Sequence, residues 1–141
     1  MKDTVQQKLN DYLASRCHLT LATVTPEGKP LARTVTYCND GAVLYFRADK
    51  DSRKVRDILK NPAVAYTIND QGSDFDATEA VQMEGTATVL TGEKDLSRFQ
   101  ERLLAKFPQL AGRPTRPNRV IVRIEPAKGY FWCGGIEELT F

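Results

Sequence analysis

The chain has 141 residues, 41% of them hydrophobic, with a mean hydropathy of −0.41 and a formal net charge of +2. This length suits one domain spanning residues 1–141, large enough to bury a core without a disulfide or metal staple. So even a charge balance excludes a basic nucleic-acid-binding stripe, and no apolar run reaches the ~20 residues that cross a bilayer.

The N-terminus carries no apolar signal segment. Cys17, Cys38 and Cys133 are odd in number and widely spaced. Together these features predict reduced thiols in a cytoplasmic protein. Thr4 followed by Gln7 fits a capping box, and Val5, Leu9, Tyr12 and Leu13 give an amphipathic helix. Residues 17–25 are rich in β-branched side chains and predict a strand. A turn over Pro26–Pro30 leads to a second strand from Pro30 to Cys38. Asn39–Asp40–Gly41 then supplies hairpin chemistry before a third strand, Ala42–Ala48.

A short basic helix follows, with Val55, Ile58 and Leu59 as its apolar face and Pro62 as its stop. Residues 63–68 read as a strand. Residues 69–80 carry Asp70, Asp74, Asp76 and Glu79, but their spacing does not match a calcium loop, so a solvated hairpin loop is expected. Val81–Thr91 is a long strand with a bulge or close approach at Gly85. Leu96, Phe99, Leu103 and Phe107 define another helix. A proline-rich loop with Arg113, Arg116 and Arg119 precedes the strand 119–125, which Pro126 is expected to break. An aromatic strand, Gly129–Gly135, and a segment Ile136–Phe141 finish the sheet. The fold class is therefore mainly β: a six- to seven-stranded antiparallel barrel with about three helices packed outside.

Two placements of charge are unexpected. With Asp51 or Ser52 as N-cap, Arg53 and Lys54 fall in the first turn of the basic helix, where the macrodipole disfavours cations by roughly 0.3–1 kcal/mol each. Alternation puts Arg33 on the apolar face of its strand, with Leu31, Val35 and Tyr37. Free backbone N–H groups and clustered cations make an anion site suited to phosphate. On the residues alone, a solvated helix face and a snorkelling Arg33 account for the pattern as well.

A lone His18 cannot build a histidine-rich metal site, and no GxSxG, Walker A, GxGxxG or HExxH pattern occurs. Any enzyme chemistry is then expected from a cofactor. Trp132 stands beside glycines, where an indole packs against a planar ring or fills a core or interface; Phe131 faces the other way.

Several stretches, in order, carry a likeness: residues 21–30, the strand 33–37, Leu44–Phe46, Ser52–Lys54 with Asn61–Pro62, Val81–Gly85, and Phe131–Gly134. By these the chain resembles the pyridoxamine phosphate oxidase-like family of FMN-binding split β-barrels. The resemblance implies a homodimer with FMN at the subunit interface. It implies phosphate binding by Arg33, Arg53 and Lys54 beside Ser52, with the strand through Thr34, Val35 and Thr36 running along the flavin. Trp132 matches an aromatic residue near the flavin, and Gln82, two residues from the family's glutamine position, is the flavin contact expected in its place. Two departures weaken the expected hold on FMN: Ala48 replaces a phosphate-bonding threonine, and Ala80 a flavin-contacting glutamine. A third concerns substrate. The namesake's basic C-terminal motif is replaced by Glu137, Glu138 and Phe141, so oxidation of pyridoxamine phosphate is not expected. The implied function is an FMN-dependent oxidoreductase of unknown substrate. Alternatives are a flavin-binding or sensing module without turnover, a related scaffold for a deazaflavin or haem, and a structural dimer with an empty cleft.

Overall fold

The structure is a computed structural model and describes residues 2–69, 75–114 and 116–141. Its elements in chain order are α1 (Asp3–Ser15), β1 (His18–Val24), β2 (Pro30–Thr36), β3 (Cys38–Asp40), β4 (Val43–Asp49), α2 (Arg53–Lys60), β5 (Ala63–Asn69), β6 (Glu79–Leu90), α3 (Glu93–Lys106), β7 (Arg119–Cys133) and β8 (Ile136–Thr140). Short 3₁₀ turns lie at Phe75–Ala77 and Pro108–Leu110.

The eight strands form one sheet in the order β2-β1-β5-β6-β7-β4-β3, with β8 beside β7, and every pairing is antiparallel. β2 and β3 stand at opposite ends of that path, yet only Tyr37 separates them in the chain. The sheet therefore curls until its ends meet, which makes a barrel. The expected strand from Pro30 to Cys38 is really two pieces: the first pairs with β1, the second with β4. Tyr37 marks the handover, with its N–H donating to the Cys17 carbonyl and its hydroxyl to the Leu13 carbonyl at 2.6 Å. Counted as one bent strand, β2–β3 brings the total to seven, within the six to seven expected. The turn lies one residue later than expected: Asp40 pairs with Val43, and Gly41 takes φ +59°.

The interior is filled by alternate residues of every long strand, among them Leu19, Leu21, Leu44, Phe46, Met83, Val122, Ile124 and Phe131. α1 adds Leu9, Tyr12 and Leu13 to this core, and α2 adds Val55 and Ile58. A second cluster joins Phe99 and Leu103 of α3 to Cys38 and Ile121.

Three expectations need correction. α1 starts at Asp3 with Lys2 as N-cap and no side-chain cap, so Thr4 is already helical and the capping box is not formed. On α2, Leu59 is 67% exposed, and Asp57 takes its place in the buried face at 3% exposure. Pro126 does not break its strand. β7 runs through it because the register shifts at Glu84/Gly85: Lys128 pairs with Glu84 and Pro126 with Gly85, which leaves Ala127 over as a bulge. A bulge is where a residue without an N–H fits in a sheet. In the loop 69–80, Asp70 and Asp74 lie outside the described residues; among the described residues no cluster of acidic, histidine or cysteine side chains could hold a metal. No helix is long and apolar enough to cross a membrane.

Candidate functional site

Past the Tyr37 handover, β2 and β4 diverge. β2 pairs only with β1, and β3 reaches only as far along β4 as Val43–Tyr45. An open seam is left between β2 and the second half of β4. In an antiparallel pair the N–H and C=O groups of alternate residues point away from the partner, so β2 offers backbone donors and acceptors to the seam. A cleft of about 600 Å³ lies there, lined among others by His18, Thr34, Val35, Thr36, Arg47 and Lys54, with Phe99, Leu103 and Phe107 of the α3 region. That volume falls in the range of small-molecule sites.

The inward-facing Arg33 is not a free cation. Its Nη1 donates to Thr23 Oγ1 at 2.7 Å and to the Leu31 carbonyl at 3.3 Å. Thr23 Oγ1 in turn donates to Asp57 Oδ2 at 3.3 Å. Thr23 and Asp57 are both buried, at 1% and 3% exposure. Burial lowers the Arg33 pKa, the Asp57 carboxylate opposes this, and Arg53 lowers it further. Arg53 is therefore close enough to repel Arg33. Beside them Ser52 caps the start of α2, and its buried Oγ has no hydrogen-bond partner among the described residues. A buried hydroxyl without a partner costs about 1–3 kcal/mol, and two like charges add to it. A phosphate oxygen at this helix start would satisfy both, so the residues present fit a phosphorylated cofactor.

The structure divides the sequence-predicted residues into two groups. Arg33, Thr34, Val35, Thr36, Ser52, Arg53 and Lys54 all belong to β2 or the start of α2. The Val35 side chain is in the core, although the residue borders the cleft. Gln82 and Trp132 lie on the outer face of the sheet, paired respectively with Tyr130 and Ala80. They are three and four strands from β2 along the sheet path, and neither lines the seam cleft. One protomer does not gather the two groups. Ala48 is buried in the core and, as an alanine, has no hydroxyl to offer a phosphate. Thr23 and Asp57 were missed from sequence. The usable signal was Asp57 at i+4 from Arg53, a spacing that puts both on one side of α2.

The family model for pyridoxamine 5'-phosphate oxidase matches residues 5–133. The chain belongs to this family. General stress protein 26 of Bacillus subtilis (strain 168) is 29% identical over 122 residues, covering 86% of this chain and 84% of that protein. The general stress protein 26 structure from Bacillus anthracis str. Sterne is 25% identical with a TM-score of 0.74, covering 97% of this chain and 98% of that one. A heme binding protein from Mycobacterium smegmatis shares the fold at 21% identity and a TM-score of 0.80, over 99% of this chain and 59% of that one. A structure described as an F-420 reductase aligns at 26% identity and a TM-score of 0.65, over 84% of this chain and 94% of that one. Proteins that share this fold thus differ in what they bind, and this chain's own residues must decide among ligands.

Proposed function

We propose that this protein is an FMN-binding, oxidoreductase-like member of the pyridoxamine 5'-phosphate oxidase family that works as a homodimer with cofactor between the subunits. The observation that carries this reading is the start of α2. There Ser52 Oγ is buried and unpartnered, while Arg33 and Arg53 are close enough to repel. Arg33, Arg53 and Lys54 would hold the phosphate, and Thr34 and Thr36 would flank the ring together with the seam-facing backbone of β2. Gln82 and Trp132 would meet the ring from a second copy. FMN supplies hydride and electron transfer when bound; the protein orients it and excludes water. Glu137 and Glu138 are exposed on β8, which disfavours a phosphorylated pyridoxine substrate.

A deazaflavin carrying a phosphate would use the same cations. A second reading, haem, is favoured by one observation: His18, the sole histidine, is exposed and lines the seam cleft, where an imidazole can ligate iron. The absorbance spectrum of the purified protein separates the readings, flavin bands for the first and a Soret band for the other. Titration then tests the site. Lys54→Ala should weaken FMN about ten- to a hundredfold and leave riboflavin, which lacks the phosphate, unchanged. Equal loss for both ligands, or for neither, overturns the phosphate assignment.

A further inference from the structure

Beside the seam cleft lies a second hollow that the FMN reading leaves unused. Its walls are Arg47 of β4, Gln100 of α3, Arg113 and Arg116 of the loop before β7, and Arg119 at the start of β7. It joins a larger hollow of about 430 Å³ that shares Arg47, Gln100, Arg116 and Arg119. Arg47 and Arg119 also line the seam cleft, so they form a shared wall. Among the described residues no aspartate or glutamate lines any of the three.

The cations here are poorly compensated. The contact made by the Arg47 guanidinium is Nη1 to Gln100 Oε1 at 3.5 Å, and no carboxylate pairs with it among the described residues. Arg119 is the exception, with its Nε 3.1 Å from Asp49 Oδ1 in an ion pair. Burial, then the charges of Arg119 and Arg116, lower the Arg47 pKa. A chain with a net charge of only +2 has no general need to crowd guanidinium groups against a concave, partly apolar wall. Such a wall focuses positive potential onto whatever enters, and planar guanidinium groups match phosphate and carboxylate in pairs.

We propose that this hollow is a second anion site, separate from the flavin-phosphate site, that takes the doubly or multiply charged end of the substrate whose other end enters the seam cleft. The assignment to a substrate rests on the flavin reading; the anion site itself does not. Arg47 and Arg116 are its principal contacts, and Gln100 fixes the Arg47 head.

Inorganic pyrophosphate is the probe, titrated calorimetrically at low salt into two proteins: the FMN-saturated wild type and the Lys54→Ala variant. Both should bind it with similar affinity. Adding Arg47→Gln or Arg116→Gln should weaken it at least tenfold. Arg116→Gln should leave FMN affinity within threefold, and melting temperatures should stay level or rise as repulsion is relieved. The inference is overturned if FMN displaces pyrophosphate and Lys54→Ala abolishes its binding, if the glutamine variants bind it as wild type does, or if no binding occurs. Failure of the wild type to bind FMN overturns the flavin reading alone, because the Lys54→Ala titration still reads the second site.

Discussion

Asp57 is the residue on which the cation cluster turns. Its carboxylate, 3% exposed, reaches Arg33 through the Thr23 hydroxyl and offsets one of the positive charges near the start of α2. Asp57→Asn keeps the shape and removes that offset. The unliganded protein should lose about 1.5–3 kcal/mol, the usual worth of a hydrogen bond to a charged group. Inorganic phosphate should recover part of the loss, which thermal melts with and without phosphate will read; an unchanged melting temperature contradicts this account of Arg33. Tyr37 and Tyr66 give a second expectation at this scale. Burial pushes both phenols well above the usual tyrosine range. An unfolded tyrosine ionises near pH 10, so above that pH the unfolded chain has released protons that the folded chain still holds. Stability from these groups is complete below about pH 10 and falls as pH rises. Burial moves the Cys38 thiol in the same direction, starting the decline somewhat lower. Denaturant melts from pH 8 to 11 should show this fall, and Tyr37→Phe should flatten it while removing the bond to the Leu13 carbonyl.

Among the elements, β6 and β7 show what sequence carries and what it hides. The long strand at 81–91, the facing of Phe131 opposite to Tyr130 and Trp132 and the irregularity at Gly85 were all legible, because side-chain period and glycine placement are local properties. That Pro126 sits inside one strand was not, because the bulge that accommodates it is formed jointly with Glu84 and Gly85 on another strand. The buried face of α2 was misjudged for a similar reason. Val55, Ile58 and Leu59 fit an apolar stripe, but the partners across the interface turn the helix toward Asp57, and only Arg33 and Thr23 explain that choice. The same logic hid Arg47, which reads as an ordinary strand residue until the loop carrying Arg116 folds beside it. Gly129 offers a direct test of the β6–β7 contact. A Cβ there would overlap the Gln82 carbonyl, backbone that cannot move aside. Gly129→Ala should therefore destabilise by about 1–3 kcal/mol, the cost of overpacking, and a melting temperature equal to wild type would refute the close approach.

At the scale of the whole molecule, α3 covers the outer face of the sheet only around Cys38 and Ile121, and a broad stretch of that face is left exposed. Thr34, Thr20, Thr67, Gln82, Tyr130 and Glu138 follow one another across it, strand by strand. Tyr130, Ile136 and Phe141 are exposed there and at the neighbouring C-terminus, at 41%, 66% and 47%. Exposed apolar groups on a flat sheet are usually covered by a partner. Sedimentation at micromolar concentration should find a dimer. Ile136→Glu should give a folded monomer whose FMN affinity falls, since Gln82 and Trp132 do not border the cleft that Thr34, Thr36 and Lys54 line in their own subunit. A wild-type monomer, or an Ile136→Glu monomer that keeps full FMN affinity, would refute the shared site.

The seam between β2 and β4 has a consequence for how the barrel breathes. A barrel sealed along its whole length would be a sturdier object, but it would have no backbone left over to read a ligand. Here the same few residues are both the weakest stitch of the barrel and the lip of its cleft, so recognition and loosening are one property of the fold. Solvent should find its way into this barrel along β2 and the second half of β4 first. Seam-facing amides of Thr34–Thr36 and Phe46–Asp49 should exchange their hydrogens ahead of those in β6 and the core of β7. Whatever molecule fills the cleft would then act as the missing strand, closing by occupancy what the chain leaves open by design.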